Sequence, residues 1–462
     1  MQDDEDLQDI SDSGSRLSGR LKRYAKVGSS VGGLAAQVVG NRVLGTGLNS
    51  AKHSAELKNA LGGLKGPLMK AAQILATIPD ALPKEYAEEL RQLQSNAPSM
   101  GWLFVKRRMK TELGTGWQKK FQSFDQVATA AASLGQVHRA IALDGQELAC
   151  KLQYPDMISA VEADLKQLAL LFGIYRRYDK AIDPSNILHE LTDRLREELD
   201  YQREAQNMGL YGHMLVDEKH VCVPKAVPEL TTNRLITMNW LDGVPLLDFI
   251  SSHENDLEMR NQVAMNMFRA WYVPFYKYGV IHGDPHLGNY SIRENGDVNL
   301  LDFGCIRVFD ASFVKGVIDL YFGLERDDED LAVQAYESWG FKIQSREMLN
   351  TLNIWAHFLY GPLLQDRKRT IVDDYQGGAY GAGVANKVHQ ELRRLGGVKP
   401  PREFVLMDRA AVGLGSVFMH LNAEINWHQL FHDLISDFDH QILLERQTSA
   451  LNEFNVLIPT HA

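Results

Sequence analysis

The segment His282-Gly-Asp-Pro-His-Leu-Gly-Asn289, followed by Leu301-Asp302-Phe303-Gly304, brings three oxygen-bearing side chains into one short stretch. Asp284, Asn289 and Asp302 have the types and spacing that phosphoryl transfer uses. The first carboxylate orients or deprotonates the attacking group, while the amide and the second carboxylate hold Mg²⁺ on the nucleotide phosphates. Mg²⁺ is a hard cation that prefers oxygen and keeps several of its waters, so one carboxylate and one amide suffice from the protein. The expected cofactors are therefore ATP or ADP with Mg²⁺.

Such a loop needs elements that hold it. Residues 261–280 carry a broad apolar face with no strong breaker before Pro274, and read as the helix that delivers it. Residues 290–292 and 298–301 read as short strands around Asn295-Gly296, a strong hairpin turn because both residues tolerate positive φ. Helix, polar loop, hairpin and Asp-Phe-Gly follow one another in the order of a kinase C-lobe.

A cation for the phosphates is expected upstream. Residues 134–143 and 147–154 read as two strands around Asp144-Gly145, and Lys151 sits on the second of them. A lysine in this place needs a carboxylate to fix it. The run Glu197-Glu-Leu-Asp-Tyr-Gln-Arg-Glu204 offers Glu198 and Glu204, and composition does not choose between them. Kinases cover phosphates with glycines, because bare backbone approaches closely and reaches positive φ. Here Ala130, Ala131, Ala132 and Ser133 take that position, followed only by Gly135. Phosphate contact is expected to differ in geometry. No Ala-Pro-Glu follows Asp-Phe-Gly, which argues against a protein substrate.

The bulk numbers bound the rest. The 462 residues are 45% hydrophobic and 23% charged, an ordinary globular composition with length for two lobes. A formal net charge of −10 argues against nucleic acid as a partner. Cys150, Cys222 and Cys305 are far apart, show no metal-ligand spacing, and fit a reducing cytoplasmic setting as small buried side chains. No apolar run reaches the roughly 18 residues of a membrane span, and the acidic start is unlike a signal peptide. Residues 16–45 alternate Leu17, Leu21, Tyr24, Val31, Ala35 and Val38 with Arg16, Arg20, Lys22, Arg23 and Lys26. This pattern fits an amphipathic helix on an anionic membrane surface, or a polar linker docked on the folded body. Residues 54–113 read as helical with a break at Pro79–Pro83, residues 157–211 again as helical, and 221–227 and 234–240 as strands of the small-lobe sheet.

These residues together resemble the UbiB/ADCK family of atypical kinases, the AarF-domain kinases, from about residue 55 to 440. The resemblance is carried by Lys70-Ala-Ala-Gln73, Leu93-Gln-Ser-Asn-Ala-Pro98, Ala130-Ala-Ala-Ser-Leu-Gly-Gln-Val-His-Arg139, Lys151-Leu-Gln-Tyr-Pro155, Glu198-Leu-Asp-Tyr-Gln-Arg-Glu-Ala205 and the two later motifs. It implies an α+β, kinase-like two-lobe fold with a helical N-terminal extension. The boundaries expected are an amphipathic or disordered segment over 1–50, the extension over 51–117, the N-lobe over 118–241 and the C-lobe over 242–462. Lys70 and Gln73 would reach from the extension into the nucleotide pocket, with Ala72 where the family has glycine. Lys151 would bind phosphates and pair with Glu198, with Glu204 a second acid near the site. Asp284 would be the catalytic-loop acid, and Asn289 and Asp302 the Mg²⁺ ligands.

The resemblance further implies a membrane-stimulated ATPase or small-molecule kinase that supports ubiquinone biosynthesis or lipid metabolism. Its partners would be prenyl-quinone intermediates, quinone-biosynthesis enzymes and membrane lipid, met peripherally from the cytoplasmic side. Two other readings fit part of the pattern: a phosphotransferase of the aminoglycoside or choline type, and a nucleotide-gated scaffold with little turnover.

Overall fold

The computed structural model describes residues 100–132, 134–159, 161–162, 165–166, 192, 195–373, 382–395 and 402–457. The amphipathic segment over 16–45, residues 51–99 of the extension, Lys70, Gln73 and Ser133 lie outside them. The chain divides into two compact units, Met1–Pro98 with Asp156–Tyr178, and Ser99–Pro155 with Asp179–Ala462. The second unit holds Lys151, Glu198, Glu204, Asp284, Asn289 and Asp302.

Its small lobe begins with helix α1 (Trp102–Leu113) and an antiparallel sheet of β1 (Phe121–Phe124), β2 (Ala130–Ala132), β3 (Gly135–Ala142) and β4 (Glu147–Gln153). After α2 (Tyr201–Met214) and β5 (Val221–Cys222), the chain returns to this sheet as β6 (Leu235–Asn239). The order is β1-β3-β4-β6, with β2 paired to β3. All of its pairings are antiparallel. Val105 and Met109 of α1, a helix that the sequence places with the extension, pack with Trp117, Phe121, Leu148, Cys150 and Leu152 in the small-lobe core. Gln136 ties the start of that helix to β3, accepting from Met100 N (2.6 Å) and donating to Met100 O (3.2 Å). Burial pushes the Cys150 thiol up to about 12, as suits an inert core side chain.

The expectation that 221–227 joins the small-lobe sheet holds for its second half, where Ala226 bridges Met238 of β6 antiparallel and Val227 N donates to the Thr237 carbonyl (2.8 Å), and is corrected for its first half. Val221–Cys222 pairs in parallel with a strand of the following hairpin. A strand of two residues has no periodicity from which its partner could be read.

The large lobe opens with β7 (Val244–Pro245), α3 (Leu246–Ser252) and α4 (Leu257–Tyr278). Asp256 caps α4 by accepting from Met259 N, and Gly279 ends it at φ 64, a left-handed conformation that glycine adopts without strain. The helix runs through Pro274, so the expected delivery helix forms in full. Then come β8 (Val280–His282), β9 (Tyr290–Ile292), β10 (Val298–Leu300) and β11 (Ile306–Val308). β9 and β10 form the expected hairpin, with Gly296 at φ 81 in its turn. Helices α5 (Ala311–Glu325), α6 (Glu329–Ser338), α7 (Arg346–Tyr360), α8 (Ala382–Arg394), α9 (Arg402–Leu421), α10 (Trp427–Ile435) and α11 (His440–Glu453) complete the lobe. The architecture is the expected α+β, two-lobe, kinase-like fold. Among the described residues no helix is long and apolar enough to cross a membrane.

Candidate active site

Lys151 projects from β4 beneath the alanine-bearing hairpin and is almost fully buried. Its ammonium donates to both oxygens of Glu204 (2.8 and 3.1 Å) and to Asp302 Oδ2 (3.2 Å). Its Nζ also lies 5.2 Å from the centre of the Tyr201 ring. Burial works against the lysine charge, but the Asp302 and Glu204 carboxylates outweigh it and hold the ammonium well above its ordinary pKa. Glu204 is pushed up by its own burial, against the opposing pull of Lys151. The cluster therefore joins the small-lobe sheet, α2 and the Asp-Phe-Gly turn through one cation.

This geometry corrects the lysine's partner. The acid paired with Lys151 is Glu204, not Glu198. The reason lies in where α2 starts. Asp200 is its N-cap, accepting from Gln202 N and Arg203 N, so Tyr201 and Glu204 fall one turn apart on the same buried face. Glu198 precedes the cap and lies in the turn beside Asp-Phe-Gly; a Cβ added at Gly304 would stand 3.6 Å from its Cγ.

The loop between β8 and β9 and the Asp-Phe-Gly turn before β11 are fixed from several sides. Asp284 N donates to His282 Nδ1 (3.2 Å), which leaves the Nε2–H to donate to the Asp302 carbonyl (2.7 Å). Asn289 donates its amide N–H to the Asp284 carbonyl (3.0 Å), and this bond leaves its Oδ1 aside as a ligand-type oxygen. Leu301 N donates to the Asn289 carbonyl (3.0 Å). Asp302 Oδ1 accepts from Gly304 N (3.0 Å), and Asn207 donates to the Phe303 carbonyl (2.9 Å). Pro285 packs against Gly413 of α9 so closely that a Cβ there would collide with it. Asp284 and Asp302 are half-buried rather than sealed. An amide oxygen and a partly solvated carboxylate on two tethered loops suit a hard cation that retains water. Asn289 and Asp302 would hold Mg²⁺.

Sequence reasoning missed two residues of this site. Tyr201 is buried, with no hydrogen-bond partner for its hydroxyl, and burial pushes its phenol up. Gly135 sits where a side chain would run into the Leu152 carbonyl and come within 3.0 Å of the Tyr201 hydroxyl. Ala130–Ala132 is not an open loop but the short arm of a hairpin, with Ala132 opposite Gly135. The signal available was the tyrosine inside Glu198-Leu-Asp-Tyr201 and the single glycine after four small residues. Gly135→Ala is expected to cost about 1–3 kcal/mol or more, as overpacking against backbone does. Urea unfolding reads it directly. A variant as stable as the parent would mean the hairpin is not held this close.

A family model for the ABC1 atypical kinase-like domain matches residues 92–336, more than half of the chain. The chain belongs to this family. Among its relatives, the "Atypical kinase COQ8, mitochondrial" of Saccharomyces cerevisiae is 29% identical over 309 residues, 65% of this chain and 61% of that one. The "Probable serine/threonine-protein kinase abkA" of Dictyostelium discoideum is 30% identical over 279 residues, 57% of this chain and 49% of that one. A solved structure, "The complex structure of Rv3197-erythromycin from Mycobacterium tuberculosis", aligns with a TM-score of 0.58 and 25% identity, covering 87% of this chain and 98% of that chain. The chain spans about half to three-fifths of the length of the first curated relatives it matches. The matched ABC1 domain contains Lys151, Glu198, Glu204, Asp284, Asn289 and Asp302. As a member of the UbiB/ADCK family of atypical kinases, the chain carries the fold class expected of it.

Proposed function

We propose that this chain is a UbiB-type ATPase or small-molecule kinase that binds Mg²⁺ with ATP or ADP and serves prenyl-quinone or lipid metabolism. The convergence of Lys151, Glu204 and Asp302 beside the tethered Asp284–Asn289 loop carries this reading. In it, Lys151 neutralises phosphate charge, and Glu204 keeps the ammonium in place from the buried side. Asp284 orients the attacking water or hydroxyl and accepts its proton. Bound Mg²⁺ would supply charge neutralisation on the transferred group. His282 fixes the spacing between the two acidic loops, because its ring bonds to both. The alanine hairpin covers the phosphates with methyl groups instead of bare backbone, so nucleotide choice differs from that of glycine-loop kinases.

The missing Ala-Pro-Glu segment favours a small or lipid acceptor over a protein. The quinone role rests on the family resemblance, and peripheral membrane contact on the basic, amphipathic pattern of residues 16–45. Names such as "Atypical kinase COQ8, mitochondrial" agree with kinase-type chemistry in relatives.

Thermal unfolding with ATP or ADP, each with and without Mg²⁺, tests the site. Ligand at about 100 times its dissociation constant stabilises by about 2.7 kcal/mol, a clear shift in melting temperature. The expected shift is larger with Mg²⁺ than without. No shift with either nucleotide would overturn the nucleotide site and leave a scaffold as the better reading.

A further inference from the structure

A second cluster of ligand-type atoms lies apart from the residues around Lys151. Tyr321 and Glu325 stand four residues apart on α5, and His428 and His432 four residues apart on α10. This spacing puts each pair on one helix face. Tyr321 Oη lies 2.7 Å from His432 Nε2, 3.3 Å from His428 Nδ1 and 3.1 Å from Glu325 Oε1. Glu325 Oε1 is 3.2 Å from His432 Nε2. The Leu363 carbonyl closes the group, 2.8 Å from His428 Nδ1 and 3.1 Å from Tyr321 Oη. Among the described residues, Glu325, His428 and His432 are the one group of three His, Cys, Asp or Glu whose ligand atoms all fall within 4.8 Å of one another.

We propose that Glu325, His428 and His432 form a transition-metal site of the Zn²⁺ class, with the Tyr321 hydroxyl and the Leu363 carbonyl beside it. The separations carry the argument. Bonds of 2.0–2.1 Å from Zn²⁺ to nitrogen and oxygen place tetrahedral neighbours about 3.3 Å apart. Glu325 Oε1 and His432 Nε2 already stand 3.2 Å apart, the ligand atoms of Glu325, His428 and His432 all fall within 4.8 Å of one another, and the Tyr321 hydroxyl lies 2.7–3.3 Å from an atom of each. They converge from two helices and a connecting segment, as a coordination polyhedron requires, and little movement is needed to seat an ion. Imidazole with carboxylate selects borderline ions such as Zn²⁺, Co²⁺ or Ni²⁺ over Mg²⁺. His432 and Glu325 are partly exposed, at 36% and 26% of their side-chain surface, which gives an ion a path from solvent. The buried Tyr321 below them holds the floor against Phe431, with ring centres 4.7 Å apart. An ion here fastens the end of α5 to α10. It is independent of the nucleotide reading, since no residue is shared.

The test titrates the full chain with Zn²⁺ in the presence of millimolar Mg²⁺, which occupies oxygen-only sites, and measures bound metal by equilibrium dialysis. Co²⁺ is the optical probe, because few-coordinate Co²⁺ gives visible absorption bands. The comparison is His428→Gln/His432→Gln, two half-buried positions, and Glu325→Gln, which keeps shape and removes charge. Wild type is expected to hold one more Zn²⁺ per chain than the double variant and to lose its Co²⁺ bands in that variant. Glu325→Gln is expected to weaken binding about tenfold or more. Equal stoichiometry and affinity in wild type and a folded double variant would make the cluster a hydrogen-bonded knot only. Should the double variant misfold, unchanged affinity in Glu325→Gln overturns the proposal by itself.

Discussion

Asp302→Asn is expected to abolish Mg²⁺-dependent turnover while leaving the chain folded. Two roles meet in this side chain, and the substitution separates them. Oδ1 accepts from Gly304 N at 3.0 Å, a bond that an asparagine oxygen can keep. Oδ2 receives the Lys151 ammonium at 3.2 Å, and there an amide NH₂ would face another donor. The turn is thus retained, while the carboxylate charge proposed to bind the metal and one of the two carboxylates that hold Lys151 are lost. Removing one electrostatic contact of this kind typically costs about 10²–10³ in rate, and a metal ligand belongs at the upper end. The stability loss should stay near 1 kcal/mol, because Glu204 still holds Lys151. Steady-state ATP hydrolysis with Mg²⁺, alongside urea unfolding, reads both quantities. Hydrolysis at the parental rate would falsify the assignment of Asp302.

The largest stability effect is expected at Lys151→Met. Glu204 is only 2% exposed, and the substitution removes its counterion. Breaking a buried pair from one side costs about 3–5 kcal/mol, since the remaining charge is uncompensated. The pH dependence follows from the direction of the shift. Burial already raises the Glu204 pKa above 4.5 with the lysine present, and without it the pull toward ionisation is weaker still. A carboxyl raised in the folded state contributes stability at low pH and loses it as pH rises through the folded value. The deficit of Lys151→Met should therefore shrink toward pH 5 and be widest at pH 8. Adding Glu204→Leu should recover most of it, because neither charge then remains buried. Chemical denaturation of the three variants at two pH values measures this. A single variant within 1 kcal/mol of wild type, or a double variant that simply sums two losses, would show that the pair is solvated rather than buried.

What could be read in the sequence was the chemistry that lies close along the chain. Asp284 and Asn289 share one loop, Asp302 follows one hairpin later, and the Asn295-Gly296 turn fixes the distance between them. Lys151 was legible from its place on a strand after a small-residue hairpin. Its partner was not. Glu198 and Glu204 share one acidic run, and only the cap at Asp200 decides which of them faces inward. That cap was visible as an aspartate one residue before Tyr201, but its weight depends on Tyr201 being buried, which is a tertiary fact. Val221–Cys222 failed for the opposite reason, being too short for any pattern. His428 and His432 carried helical spacing suited to a metal, yet Glu325 and Tyr321 stand about a hundred residues earlier. Only the packing of α5 against α10 brings them together.

Gln447 of α11 donates from one amide nitrogen to the Tyr278 and Phe309 carbonyls, 2.8 Å each. These carbonyls flank the exit of α4 and the strand that leaves Asp-Phe-Gly, so the bond spans 169 positions of sequence on one side. Leu443, Ala450 and Leu451 of the same helix are sealed beside it. The order of synthesis therefore matters. A ribosome that has released every residue from Lys151 to Asp302 has still not released the amide that closes the end of α4. The nascent chain must wait, with that helix end open to water or to a chaperone, until α11 emerges. A premature stop after Asp302 and before Gln447 would then yield a protein with Lys151, Glu204, Asp284, Asn289 and Asp302 in place and no finished large-lobe core around them.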